Sequence, residues 1–294
     1  MIQEIFPHRF NNTYIPNKNI ADSDFILHYY ENSLLLKMNG DEFRIPQKKD
    51  FPEISDKTEK IFLFTFDDVP CFLVWDSLNV NKSLFIYREI NFFRTIGQRE
   101  IAWISIVGFH LKSWYSQNKF CGKCGTRTQP KSDERAVICP RCDTTVFPKI
   151  SPAIIVAILC GNKILLARNS HFPGNWYSLI AGYVDVGETL EETLKREVKE
   201  EVGLDVKNIR YYKSQPWPLS GSQMIGFIAE ADENQRISID NKEIAEAAWF
   251  SRGNLPNYPS NISIAGEMIE KFEKGKLISN SSGEKVYPKL TRPG

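Results

Sequence analysis

Residues 182–204 read GYVDVGETLEETLKREVKEEVGL, and this stretch decides the fold of the C-terminal half of the chain. Thr189 followed three residues later by Glu192 is typical of a capping box at the start of a helix, and Gly203 is typical of a helix end. The spacing predicts a helix over residues 190–202. Its apolar residues recur at every fourth position and predict one buried stripe, made of Leu190, Leu194, Val198 and Val202.

Acidic side chains lie at the edge of this stripe. At about 100° per residue, a helix places Glu201 inside the apolar arc and Glu197 at its border, with Glu200 close to both. Carboxylates at a core-facing edge are costly unless they are paired or bind a cation. Because Mg²⁺ and Mn²⁺ prefer oxygen ligands, these three glutamates are candidate ligands for one of them.

A solvated, charged helix face is the alternative interpretation of the same glutamates. It does not explain why Gly182, Glu188, Arg196 and Gly203 stand at fixed offsets from them. Together these residues fill every defined position of the pattern G-x5-E-x7-R-E-U-x-E-E-x-G-U, where U is apolar. The stretch therefore resembles the Nudix box, the signature of enzymes that hydrolyse a nucleoside diphosphate linked to another group.

A second motif follows the box. Residues 214–222 read SQPWPLSGS, which is similar to the SQPWPFPxS motif of the NADH pyrophosphatase subfamily and departs from it at Leu219 and Ser220. The two prolines stiffen the loop, and Trp217 offers a flat apolar face to a nicotinamide or adenine ring, although a core tryptophan is the alternative. The resemblance implies that the dinucleotide contacts Gln215, Pro216, Trp217, Pro218, Leu219, Ser220, Gly221 and Ser222.

The family resemblance also implies roles for individual residues. The metal ligands would be Glu197, Glu201, the backbone carbonyl of Ala181, and Glu243, with Glu246 one helical turn further on as the alternative to Glu243. The catalytic set would be Glu201, Glu197 and Glu200, with Glu201 assisting deprotonation of the attacking water. Phe147 would lie near a base, Ala265 would approach the substrate through its backbone, and Arg196 would pair with Glu188 or a neighbouring glutamate and keep the box rigid.

Four cysteines upstream of the box have the spacing of a metal site. They are Cys121, Cys124, Cys139 and Cys142, arranged as two Cys-x2-Cys pairs. Four thiolates without an open position predict a structural Zn²⁺ site, which we favour over free or redox-active thiols. The order of an N-terminal domain, a four-cysteine ribbon and a Nudix domain also resembles the NADH pyrophosphatase subfamily.

Composition limits the other classes of function. The formal net charge is +1, which gives no general attraction to nucleic acid or to an anionic membrane. The apolar run at 153–160 is too short to span a bilayer, and the N-terminal residues lack the pattern of a signal peptide. With paired cysteines that suit a metal site in a reducing compartment, we expect a cytoplasmic protein without a membrane partner.

The pattern along the chain predicts four segments. Residues 1–97 form a small, mostly β domain, and 98–147 form a helix near 98–118 followed by the zinc ribbon. Residues 148–275 form the Nudix domain with a last helix near 261–274, and 276–294 form a polar tail. The fold class is α+β, and the resemblance implies an α/β/α sandwich with a mixed sheet and a homodimer.

The function expected from these observations is metal-dependent hydrolysis of NADH, and less readily of NAD⁺, to nicotinamide mononucleotide and AMP. A first alternative is removal of an NAD cap from the 5′ end of RNA by the same chemistry. The departures at Leu219 and Ser220 also leave room for another dinucleotide, such as ADP-ribose. An alternative of another class is a zinc-ribbon binding or regulatory protein with an inactive Nudix fold.

Overall fold

The computed structural model describes residues 1–170, 175–239 and 242–277. The chain divides into two compact units. The N-terminal unit comprises Ile2–Ile150 together with Pro216–Ser222, and the C-terminal unit comprises Met1, Ser151–Gln215 and Gln223–Gly294. The domain boundaries expected from the sequence stay a prediction, and most of the expected tail, residues 278–294, lies outside the described residues.

The N-terminal unit begins with eight strands, which agrees with the mostly β character expected of this region. They are β1 (Phe10–Asn11), β2 (Phe25–Leu27), β3 (Tyr29–Tyr30), β4 (Ser33–Asn39), β5 (Glu42–Arg44), β6 (Lys60–Phe66), β7 (Val69–Val74) and β8 (Phe85–Glu89). One sheet has the order β1-β6-β7-β2, with β2 and β7 parallel. In the other sheet β4 pairs with β3, β5 and β8.

A helix and a small ribbon complete the N-terminal unit. Short 3₁₀ helices cover Lys48–Asp50 and Ile90–Arg94, and helix α1 covers Arg99–Gln117, within a residue of the expected bounds. The ribbon consists of β9 (Gln129–Pro130), β10 (Val137–Ile138) and β11 (Thr145–Val146), all antiparallel.

The C-terminal unit is built around a six-stranded sheet. Its elements are β12 (Ser151–Cys160), β13 (Lys163–Asn169), β14 (Ile180–Tyr183), α2 (Leu190–Val202), β15 (Lys207–Trp217), β16 (Ser222–Glu230), β17 (Ile244–Ser251) and α3 (Ile264–Glu273). The order is β15-β16-β12-β13-β17, and β14 also pairs with β12. Within the described residues, no helix combines the length and the hydropathy needed to cross a bilayer.

The central strand β12 contributes to two cores. Successive strand residues point to opposite faces, and Ile154, Val156 and Ile158 pack in the core that contains α2, whereas Ile155 and Leu159 pack in the core that contains α3. Each helix thus covers one face of the sheet. This arrangement confirms the α+β fold and the α/β/α sandwich.

Helix α2 has the ends that its sequence predicts. The Glu192 N–H donates to Thr189 Oγ1 at 3.2 Å, and the Thr189 N–H donates to Glu192 Oε2 at 2.8 Å, which completes the capping box. Gly203 ends the helix at φ +72°, a left-handed conformation that costs residues with a side chain. Leu194, Val198 and Val202 are fully buried, and Leu190 is half-buried and packs against the same core, so the predicted stripe is confirmed.

Replacing Gly203 with Ala should destabilise the protein more than replacing Gly253. Both glycines have positive φ, +72° and +78°, so each substitution should cost about 1–2 kcal/mol of unfolding free energy. A Cβ at 203 would also stand 3.0 Å from Ser238 Cβ, whereas a Cβ at 253 meets nothing within 4 Å. Urea unfolding of the two variants measures the difference, and equal losses would contradict the close contact with Ser238.

Candidate functional site

Arg196 joins the loop before α2 to the helix itself. Its Nε and Nη2 donate to the two carboxylate oxygens of Glu188 at 2.6 and 2.8 Å, and Nη2 also donates to the Tyr183 carbonyl at 3.1 Å. Nη1 donates to Glu197 Oε1 at 2.7 Å and to Glu200 Oε2 at 3.2 Å. Hydrogen bonds from Arg196 lower the pKa of Glu188 to about 2, so this carboxylate stays charged. The Arg196 pairing expected from the sequence is therefore present.

Gly182 makes room for the Glu197 side chain. A Cβ at position 182 would stand 1.9 Å from Glu197 Cδ, which no real structure tolerates. Burial raises the pKa of Glu197, the charges of Glu200 and Glu243 raise it further, and Arg196 opposes them. Glu197 is thus held against β14, beside Ala181, in surroundings where a cation would relieve both burial and repulsion.

The other two glutamates of the helix differ in burial. Glu201 is 8% exposed and lies on the core-facing edge, as its position in the sequence predicts. The Glu200 side chain is 61% exposed. Among the described residues, the helix carboxylates do not join any group of three or more ligand atoms within 4.8 Å of one another.

Glu243 and Glu246, the two candidates for the later acidic metal ligand, lie in different surroundings. The helical spacing assumed for these residues is wrong, because Ile244–Ser251 is strand β17 and pairs with β13. Glu246 lies opposite Arg168, 3.7 Å from its guanidinium, and also bonds with Tyr177. The charge of Glu243, like that of Glu200, raises the pKa of Glu197. These observations favour Glu243 over Glu246 as the acidic residue that acts together with the glutamates of α2.

The loop after β15 is fixed by contacts within the N-terminal unit. The guanidinium of Arg94 lies 5.8 Å from the centre of the Trp217 ring, a cation–π contact. Ser220 Oγ lies 2.8 Å from Ser222 Oγ, so the serine that replaces a proline of the motif supplies a hydrogen bond. A Cβ on Gly221 would stand 3.2 Å from His110 Nε2.

The remaining residues of the predicted substrate site differ in exposure. Phe147 is 55% exposed, Trp217 is half-buried, and Ala265 is buried in the first turn of α3. Gln215 is completely buried, and both ends of its amide bond to the backbone just before and at the start of α3. In the loop, Pro218 is buried, while Pro216 and Leu219 are half-buried.

The four cysteines meet in two matching turns. Their ligand sulfurs all lie within 4.8 Å of one another, and Cys124 Sγ is 3.4 Å from Cys139 Sγ. In the first turn the Gly125 N–H donates to the Cys121 carbonyl, and in the second the Asp143 N–H donates to the Cys139 carbonyl. Gly125 and Asp143 both have positive φ. Four converging sulfurs on two such turns fit a tetrahedral Zn²⁺ ion.

Some contributors to the site were missed by the sequence analysis. The Thr193 hydroxyl lies 2.8 Å from Glu188 Oε2 and is fully buried, so it helps to orient that carboxylate. Arg94 lies 123 positions before its partner Trp217. Neither contact leaves a signal in the sequence, because the first depends on the loop turning back onto α2 and the second on tertiary structure.

Comparison with known families agrees with this geometry. Residues 149–272 match the NUDIX domain model, and 116–147 match the NADH pyrophosphatase zinc ribbon domain. Residues 23–114 match the NADH pyrophosphatase-like rudimentary NUDIX domain. The box geometry and these matches show that residues 149–272 form a NUDIX domain. The models matched by residues 116–147 and 23–114 are both named for NADH pyrophosphatases.

Curated relatives carry a more specific description. The chain is 44% identical over 163 residues to the NAD-capped RNA hydrolase NudC of Citrobacter koseri, a match that covers 55% of this chain and 63% of the relative. It is 43% identical over 166 residues to the NAD-capped RNA hydrolase NudC of Haemophilus influenzae, covering 55% of this chain and 62% of the relative. Both matches span less than two thirds of the relatives' own length.

A solved structure is also similar. The NUDIX hydrolase of Nitrosomonas europaea is 22% identical to the chain, with a TM-score of 0.47, and the match covers 54% of this chain and 92% of that one.

Replacing Cys139 with Ser should abolish zinc binding. The purified protein should contain about one zinc per chain, and the variant should contain almost none, because a closed four-thiolate site loses affinity when one thiolate is removed. Cys160 is also buried but lies outside the group, so Cys160→Ser is the matched control. Elemental analysis by mass spectrometry measures the content. Equal zinc in both variants would show that the ribbon does not hold the ion.

Proposed function

We propose that the protein is a metal-dependent pyrophosphohydrolase that cleaves NADH and NAD⁺ to nicotinamide mononucleotide and AMP. The observation that carries the proposal is the position of Glu197, half-buried against Gly182 with the charges of Glu200 and Glu243 acting on it. A pyrophosphate is strongly anionic, and a group of acidic residues can bind it only through cations. The match to the NUDIX domain and the names of the relatives support the same reaction.

The residues that would hold Mg²⁺ or Mn²⁺ are Glu197, Glu201, Glu243 and the backbone carbonyl of Ala181. The donor set fits, because these are the hard oxygen ligands that both ions prefer. When bound, the ion would neutralise the pyrophosphate and make a water molecule a usable nucleophile. Glu201 would also assist deprotonation of the attacking water, and its burial beside the apolar stripe keeps its position fixed.

Arg196 and Glu188 keep the carboxylates in place during the reaction. The guanidinium is bound on two edges by Glu188 and by the Tyr183 carbonyl, which leaves Nη1 to orient Glu197. Trp217 binds one ring of the dinucleotide on its flat face. Phe147 and the loop residues 216–222 would supply the remaining contacts, and Ala265 would contribute through its backbone.

Removal of the NAD cap from RNA is the second candidate function. The relatives from Citrobacter koseri and Haemophilus influenzae are both described as NAD-capped RNA hydrolases. The same pyrophosphate bond is broken in both substrates, so the same glutamates would serve either reaction. The formal net charge of +1 supplies no general attraction to RNA, and contacts with the RNA would have to be local.

Assembly and location are further parts of the proposal. The resemblance to NADH pyrophosphatases supports a homodimer. All six cysteines are free thiols, four of them in the zinc group, which supports a reducing compartment such as the cytoplasm.

Replacing Gly182 with Ala should weaken Mn²⁺ binding. The added methyl group displaces the Glu197 carboxylate, because the space is already filled by that side chain. We expect an increase in Kd of about tenfold or more, by analogy with the loss of a supporting contact around a metal ligand. Gly97→Ala is the control, since a Cβ there meets nothing within 4 Å. Titration followed by electron paramagnetic resonance measures the affinity, and an unchanged Kd would remove Glu197 from the ligand set.

Replacing Glu201 with Gln should lower the rate of NADH hydrolysis by about 100-fold or more, because the amide can neither accept a proton nor neutralise a cation. Glu191→Gln is the matched control, since Glu191 is exposed in the first turn of the same helix. Chromatography of the products from NADH, NAD⁺, ADP-ribose and NAD-capped RNA, with Mg²⁺ or Mn²⁺, measures rate and substrate together. Hydrolysis at the normal rate in Glu201→Gln, or no hydrolysis of any substrate by the wild-type protein, would contradict the proposal.

A further inference from the structure

Gln215 links strand β15 to the start of helix α3. Its side chain has no solvent-exposed surface. The amide Nε2 donates to the Ile262 carbonyl at 2.9 Å, and Oε1 accepts from the Ile264 N–H at 2.6 Å. The amide therefore satisfies one backbone acceptor and one backbone donor on either side of Ser263, the residue that caps α3.

The first turn of α3 is packed so closely that its position is fixed. A Cβ on Gly266 would stand 2.1 Å from the Ser260 carbonyl oxygen, and a Cβ on Gly226 would stand 2.7 Å from Ile264 Cδ1. The turn therefore fits between residues 259–260 and strand β16 only because positions 266 and 226 are both glycine. A small change in the direction of the backbone at 262–264 would move this turn as a unit.

A second set of contacts joins the same strand to the same helix one turn further along. The Tyr212 hydroxyl donates to Glu267 Oε1 at 2.6 Å, and the Lys213 and Lys271 ammonium groups each lie 3.3 Å from that oxygen. These cations and the Tyr212 hydroxyl lower the pKa of Glu267 against the effect of burial. Glu267 therefore stays charged and keeps α3 on β15, while Gln215 sets the first turn.

We infer that Gln215 is a positioning residue, which fixes the first turn of α3 and with it the backbone of Ala265, rather than a residue that contacts the dinucleotide. Because the side chain has no exposed surface, a direct contact would require it to leave its buried position and the two backbone hydrogen bonds that hold it there, which is costly in the interior. The inference rests on the proposed function, in which Ala265 approaches the substrate. The glutamine of the SQPWPLSGS motif thus supports the site through the start of α3.

Gln215→Met tests this, because methionine has a similar length and cannot form either hydrogen bond. We expect KM for NADH to rise about tenfold with kcat changed less than threefold, and amide hydrogen exchange at 262–266 in the substrate-free protein to become about tenfold faster. Gln235→Met is the matched control, since the Gln235 amide bridges the N–H and carbonyl of Asp205 in the same way. The control should change neither KM nor exchange at 262–266.

The other outcomes separate the alternatives. A higher KM with unchanged exchange would make Gln215 a direct substrate contact and overturn the inference. Faster exchange with unchanged kinetics, or no change in either, would also overturn it. Wild-type protein that does not hydrolyse NADH would overturn the proposed function, and the inference would fall with it. If Gln215→Met does not fold, Gln215→Glu, which keeps an oxygen to accept from the Ile264 N–H, should show smaller changes in the same two measurements.

Discussion

The planar guanidinium of Arg196 is the contact on which the rest of the site depends. Its two-pronged pair with Glu188 has fixed geometry, because an arginine fork matches a carboxylate edge to edge. Once that pair is formed, the remaining nitrogen faces the carboxylates of Glu197 and Glu200 and donates to both. The absence of a side chain on Gly182 then decides how close Glu197 can come to β14. The Arg196 guanidinium and Gly182 thus fix the position of the Glu197 carboxylate.

Strand β14 and helix α2, which carry these residues, are both held firmly in the fold. Strand β14 pairs with the centre of β12, so Ala181 and Gly182 belong to the rigid part of the sheet. Helix α2 is held by its buried stripe and by caps at both ends. Charged groups carried on such elements keep their positions better than groups carried on loops. This packing offsets the free-energy cost of holding a half-buried Glu197 near other carboxylates. Binding a cation would lower that cost.

The parts of the structure that the sequence could predict are those with local causes. The bounds of α2 follow from a capping box, a left-handed glycine and a four-residue apolar repeat, all within 182–204. The zinc turns follow from the two Cys-x2-Cys pairs. Strand β17 was not predicted, because its Glu and Ala residues favour helix by intrinsic propensity, and only pairing with β13 makes the segment extended. The burial of Gln215 was hidden for the same reason, since its partners lie 47 and 49 residues away.

The most direct test of the central claim is the position of Mn²⁺ in crystals soaked with the ion and a non-hydrolysable dinucleotide, located by anomalous scattering. We predict a peak at bonding distance from carboxylate oxygens of Glu197 and Glu201, between the helix and the pyrophosphate. A fully occupied dinucleotide with no manganese beside α2, and with those glutamates turned away from it, would contradict the account.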